Sequence, residues 1–400
     1  MEAYLLDWAN LLLRWLHVIT AIAWVGSSFY FVWLDNHLIR PKSPDLLEKG
    51  VDGALWAVHG GGFYNPQKYM VAPRKIHTEL HWFYWESYST WLSGFALFTV
   101  LYLWNATTFL VDKSVYAWSA QGAVAAALGF LVVFWLVYDG ICRVLGAGPE
   151  ADKKVGALVF AFIVFASWLA CQLFAGRAAF LLVGAMMATA MSANVFFWII
   201  PGQRKVIAAM EAKQPTDPVH GKRGKQRSTH NTYFTLPVLF AMLSNHYGQL
   251  YGHRHNWVIL VLVMLAGALV RQFFVARHKT HMAGKPEPWH WAAAGVAPLL
   301  VLIVWLAPWG SLGADRQAAA PATFAQVQAI VQQRCVMCHN EQLQQKGVAL
   351  HTPELIARHA PAMNQQAVVQ KTMPLNNATQ ITDDERALLG RWFAAGAPTK

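Results

Sequence analysis

Cys335, Cys338 and His339 form the pentapeptide C-V-M-C-H. Two thiols three residues apart, followed at once by an imidazole, are the attachment pattern of a covalent c-type haem: two thioether bonds to the porphyrin and an axial histidine on the iron. Zinc is the alternative chemistry, but it wants four ligands. His351 and His359 lie downstream, yet no second Cys pair exists. The remaining cysteines, Cys142 and Cys171, lie in or beside apolar stretches, so no disulfide framework is implied. Met/His ligation raises a haem potential and suits an electron acceptor. Met373, followed by Pro374, is the expected sixth ligand to the iron held by His339. Met363 competes with it, and Met337, inside the motif, cannot reach over the porphyrin.

A second set of candidates lies in apolar sequence, where an ionisable residue is costly and functional by default. His17 falls six residues into the first apolar stretch, about 9 Å deep at 1.5 Å per residue. His246 falls near the end of the sixth. Two histidines at matching depth on the outer side could sandwich a b-type haem beside the haem c. The plain alternative is that each bonds a neighbouring helix. A third set is polar and gathers at the opposite face. It comprises Asp35-Asn36-His37, the H-G-G-G-F-Y loop from His59, Lys68, Arg74 and Lys75, then His77, Glu79, His81 and Glu86, and finally Arg223, Arg227, His230 and Tyr233. His77 and His81, four residues apart, would share a helix face and could bind metal or move protons. The plain reading is a set of interfacial residues, with the triple glycine a flexible loop.

The elements that must position these groups are helices in a membrane. Of 400 residues, 56% are hydrophobic and 13% charged, against about 25% charged in soluble proteins. The 19 Trp gather at segment ends, as an aromatic belt would. A span needs around 20 apolar residues, and eight stretches qualify: 11–34, 84–104, 116–138, 155–174, 178–200, 232–250, 256–275 and 290–309. The sixth is the weakest, interrupted by Asn245 and His246 with Pro237 inside it. Glu2 and Asp7 stand where a cleavable signal would have a basic start. The loops 35–83, 139–154, 201–231 and 276–289 hold nineteen Lys and Arg, against four on the other side. By the positive-inside rule those loops face the cytoplasm and both termini face outward, where haem c is attached. The net charge of +11 is thus a topology signal and implies no nucleic acid.

The expected architecture is all-α: a polytopic membrane helix bundle of eight predicted spans over 1–309, a small-residue linker over 310–322, and a soluble domain over 323–400. In the last, Thr323 caps a helix running to Arg334 and into the motif, and Thr382-Asp383-Asp384-Glu385 opens a final helix with a capping box. This order resembles a small class I cytochrome c, placed on the periplasmic side of a bacterial inner membrane.

The runs L-H-V-I-T-A-I-A-W-V-G-S-S-F-Y-F-V-W-L-D-N, H-G-G-G-F-Y, L-H-W-F-Y-W-E-S-Y-S-T-W and R-S-T-H-N-T-Y-F-T-L-P-V-L-F-A-M-L-S-N-H-Y resemble the membrane-bound bacterial urate oxidases, which join an eight-helix domain to a cytochrome c. The likeness covers essentially the whole chain. It implies oxidation of urate to 5-hydroxyisourate, with electrons passed to the cytochrome and on to a soluble cytochrome or terminal oxidase. Urate is a planar monoanion that a basic aromatic pocket would attract. Arg74, Arg223 or Arg227 is the expected anion partner, and His77, His81 or His230 the base, with Glu79 beside them. Two rivals remain. A dehydrogenase for another reductant, such as a quinol, would respond to quinone-site inhibitors and not to urate. A non-enzymatic electron relay would need one span, not eight.

Overall fold

The computed structural model describes residues 1–69, 72–147, 150–307 and 322–399. The linker expected over 310–322 lies, apart from Ala322, outside these residues. The chain is mostly helical. Helix α1 covers Glu2–His37, α2 Trp85–Phe98, α3 Ala120–Leu145, α4 Ala151–Leu173 and α5 Gly176–Asn194. A π-helical turn, Val195–Ile199, joins α5 to α6, Ile200–Glu211. Then come α7 (Pro218–Leu243), α8 (Asn256–Met282), α9 (Trp289–Trp305), α10 (Phe324–Arg334) and α11 (Asp383–Ala394).

Helix α5 is the centre of the bundle. Its small residues Ala178, Ala179, Gly184 and Ala190 let neighbouring helices close in, and Phe180, Leu182, Met186 and Met187 fill the space between them. On α3 the stripe Ala123, Ala127, Leu131, Phe134 and Tyr138, stepping by three or four residues, faces that core. On α4, Val155, Val159, Ile163, Ala166 and Ala170 do the same. The outward faces keep large apolar residues exposed, among them Val132, Leu136, Phe165, Ile303 and Val304. Such a surface suits lipid rather than water.

Among the described residues, five helical stretches are long and apolar enough to cross a membrane: Tyr4–His37, Ala120–Leu145, Ala151–Leu173, Gly176–Glu211 and Asn256–Arg277; Trp289–Trp305 is apolar but shorter. The expected spans over 84–104 and 232–250 do not meet that measure. The first becomes α2 followed by a π turn over Thr99–Leu103. The second is displaced: α7 starts at Pro218, under an Asp217 cap, and ends at Leu243. Its first half carries Lys222, Arg223, Lys225 and Arg227, so the helix is half polar.

The loop between α1 and α2 departs from an all-α reading. Gly53–Ala54 pairs antiparallel with Gln67–Lys68, and Ala57–His59 pairs with Gly62–Tyr64. Gly60 and Gly61 take φ of 57° and 82°, the two positive angles that a tight hairpin turn requires. The triple glycine is therefore the turn of a hairpin rather than a slack loop.

Residues 322–399 fold on their own small core of Val327, Ile330, Val331, Leu350, Ile356, Leu389 and Trp392. The expected capping box of Thr382 with Glu385 forms on α11, and the expected Thr323 cap of α10 forms as a capping box with Gln326. Arg334 ties the two helices by bonding Glu385 at 3.0 Å and the Thr379 carbonyl at 2.6 Å. The tail docks at the end of the bundle where α1 and α5 begin. Asn376 donates to the carbonyl of Thr108, and a Cβ on Gly248 would lie 2.3 Å from the Gln370 carbonyl oxygen. Only glycine permits that approach.

Candidate functional site

Helix α10 runs into the C-V-M-C-H turn, where the backbone N–H groups of Cys338 and His339 both donate to the Cys335 carbonyl at 3.1 Å. His339 Nδ1 donates to the Val348 carbonyl at 3.1 Å. That bond fixes the tautomer and leaves Nε2 with its lone pair, the arrangement of a metal-ligating histidine. Both thiols are free, Cys335 packed at the edge of the small core and Cys338 exposed. The chain therefore fits a covalent haem at this turn. Met373 and Met363 are both half-buried. The Met373 carbonyl accepts from Arg386 at 2.7 Å, while Met363 packs against the core.

The pair His17 and His246 does not converge. His17 Nδ1 donates to the Thr90 carbonyl at 3.1 Å, with Ser93 Oγ 3.2 Å away, and its ring lies flat against Gly94, where a Cβ would come within 2.7 Å. The imidazole borders an apolar cavity of about 60 Å³ with Trp24, Trp91, Phe95 and Met242. That volume holds a water or two and no porphyrin. His246 sits exposed on a 3-10 turn, Ser244–His246, after α7 has ended. Helix α7 thus ends before His246, which the following turn carries instead.

At the opposite end a buried polar network joins α3, α5, the π turn and α7. Asp139 accepts from Arg227 Nη2 at 2.7 Å, from Trp198 Nε1 at 2.7 Å and from Arg143 Nε at 2.6 Å. Arg227 is 3% exposed and also donates to Asn194 Oδ1 at 3.3 Å. Asn194 Nδ2 donates to the Tyr138 hydroxyl and to Asn231 Oδ1, each at 2.9 Å. The Tyr138 hydroxyl also hydrogen-bonds His230 Nδ1 at 2.8 Å, the histidine tautomer setting which of the two donates. The guanidinium carbons of Arg143, Arg227 and Arg223 stand 4.9, 5.0 and 5.8 Å from the Trp198 ring. Arg143 and Arg227 share the Asp139 carboxylate and Arg223 stands beside them over Trp198, which leaves a basic, aromatic face. The π turn is what swings Trp198 onto Asp139, and such turns recur at functional sites.

The structure thus brings together His230, Arg227 and Arg223, and leaves the other candidates apart. His77, Glu79 and His81 are exposed in irregular backbone before α2, so the histidines share no helix face. The helix begins only at Trp85, after a run of aromatic residues with no cap. His81 instead meets Phe83 edge-on at 4.7 Å. Arg74 and Lys75 line an open surface cleft of about 650 Å³ with Met210, Lys213 and Gln214.

Tyr138, Asp139, Asn194 and Trp198 were not among the candidates. Asp139 in an otherwise apolar helix was the signal that would have found them. Arg271, near the end of the seventh apolar stretch, carried the same signal. It is 4% exposed and donates through Nε to the Thr232 carbonyl at 3.2 Å. Residues 3–307 match the family model described as urate oxidase N-terminal. The chain belongs to that family. No curated protein and no solved structure matches it.

Proposed function

We propose that this urate oxidase family member is a membrane enzyme that oxidises urate to 5-hydroxyisourate and passes the electrons to its own tail, held outside an inner membrane. The family match over residues 3–307 carries this reading. Urate plus water gives 5-hydroxyisourate, two electrons and two protons, so the chain must offer a place for an anion, for protons and for electrons.

A haem c attached at Cys335 and Cys338 would supply the one-electron acceptor. His339, with Nε2 left open by the bond to the Val348 carbonyl, and Met373 would hold its iron. The docking of residues 322–399 onto Thr108 and Gly248 supports the route, because it seats the motif-bearing unit against the bundle. From there the electrons leave to a soluble cytochrome or a terminal oxidase. The basic face of Arg143, Arg223 and Trp198 attracts the anionic substrate, and the cleft of Arg74 and Lys75 lies at the same loop-rich end. His230, with Nδ1 2.8 Å from the Tyr138 hydroxyl, is the base that takes one of the two protons released from urate and water. No role falls to His77, Glu79 or His81.

Membranes carrying the chain should consume urate and release 5-hydroxyisourate only while an electron acceptor is present. The His230→Gln variant should lower kcat by about 10²-fold or more, the usual worth of a general base. Undiminished turnover by that variant removes His230 from the mechanism, and no urate consumption by the wild type removes the activity.

A further inference from the structure

Arg271 carries an unmet donor inside the bundle. Its Nη2 is buried with no hydrogen-bond partner, and among the described residues no carboxylate pairs with it. A guanidinium withdrawn from water without a counter-charge is costly to keep, so its retention calls for a reason. Its guanidinium carbon stands 4.6 Å from the Phe29 ring of α1 and 5.9 Å from the Phe274 ring of α8. Asn36 lies two turns after Phe29, on the same face of α1. Its Nδ2 donates to the Phe274 carbonyl at 3.2 Å, and its Oδ1 is likewise buried and unpartnered. An unmet donor, an unmet acceptor and two ring faces therefore meet where α1 packs on α8. Phe29 and Phe274 are each 37% exposed, so the rings form the outer rim of this junction.

We propose that the α1–α8 junction is the anchor for the planar substrate anion, with Arg271 gripping its anionic edge, Asn36 Oδ1 accepting from a ring N–H, and Phe29 and Phe274 covering its face. This rests on the urate reading above. A guanidinium presents a flat fork of donors that matches two adjacent acceptors in one plane. Urate offers such acceptors and, around the same rim, N–H donors. A lipid phosphate or a simple carboxylate would satisfy Arg271 but leave Asn36 Oδ1 facing a second acceptor. A quinone lacks both the charge and the N–H. Arg227, one of the three anion partners expected from sequence, is already engaged by Asp139, whereas the buried Arg271 has a donor to spare.

The test is equilibrium dialysis of radiolabelled urate against the full-length protein in detergent, reduced beforehand with dithionite so that urate binds without reacting. Melting temperatures are recorded alongside. Wild type should bind. Arg271→Met should weaken binding by more than about tenfold, a single strong polar contact, while its melting temperature holds or rises because an unpaired charge is gone. A merely structural arginine would instead lower the melting temperature and leave the affinity unchanged, which overturns the proposal. Asn36→Leu, uncharged throughout, should weaken binding by a smaller factor and decides the matter if Arg271→Met does not fold; an unchanged dissociation constant for it also overturns the anchor. An anionic lipid that co-purifies with wild type but not with Arg271→Met, with urate binding intact, assigns the site to lipid. Wild type that binds no urate overturns the substrate reading and the anchor together.

Discussion

At the scale of single residues, the chain separates polar groups whose valences are filled from those whose valences are open. Asp139 accepts three donors and Arg227 is spent on Asp139 and Asn194. Breaking a buried pair by removing one partner leaves an uncompensated charge and costs about 3–5 kcal/mol. Asp139→Ala should therefore lower the unfolding free energy by that order in denaturant titration, and the double change Asp139→Leu, Arg227→Met should recover most of it. No recovery would mean that the network does more than hold α3, α5 and α7 together. His339 has the opposite character, with Nδ1 fixed and Nε2 open. Met373→Ala should abolish methionine–iron absorbance in the purified protein and Met363→Ala should keep it. The reverse result would exchange the two residues' roles.

At the scale of elements, Gly94 and Gly248 mark two close approaches. A methyl on Gly94 would overlap the His17 ring, at 2.7 Å from Cε1, so Gly94→Ala should destabilise the α1–α2 contact by about 1–3 kcal/mol, read as a lower melting temperature. Gly248 plays the same part between the bundle and the tail. In the tail, the Lys371 ammonium bonds Asp383 at 2.6 Å at the start of α11 and holds that carboxyl below the usual aspartate range. A lowered folded-state value means stability that is present above the ordinary aspartate range and lost as pH falls through the lowered value. Lys371→Met should remove that part of the acid sensitivity, measured by melting between pH 5 and about pH 2. Periodicity exposed α1, α3, α4, α5, α8 and both capped tail helices, because each repeats an apolar stripe or a cap pattern. It misplaced α7, where a basic first half and an apolar second half belong to one helix starting at Pro218. It gave no warning of the π turn, which follows from packing around Asp139 and leaves no local mark.

At the scale of the whole molecule, the long apolar helices were legible in sequence because they depend on local composition. The site was legible only in part. His230, Arg227 and Arg223 could be named from their place at a helix entrance. Their partners Tyr138, Asn194 and Trp198 come from helices remote in sequence, and no spacing rule joins them. The place of His246 after the end of α7 was not legible for the same reason, since depth along a chain does not say where a helix ends. The molecule that results has a polar network and an unpaired arginine toward one end and a docked, C-x-x-C-H-bearing unit at the other. If that division is one of substrate and electron exit, fusions of a periplasm-active reporter should report the C-terminus outside and the 201–231 loop inside. The most direct test of the account is to add urate, without oxygen, to the purified oxidised protein and to follow the absorption of the c-type haem. Reduction of that band by urate is the predicted result. A haem that dithionite reduces and urate does not would contradict it.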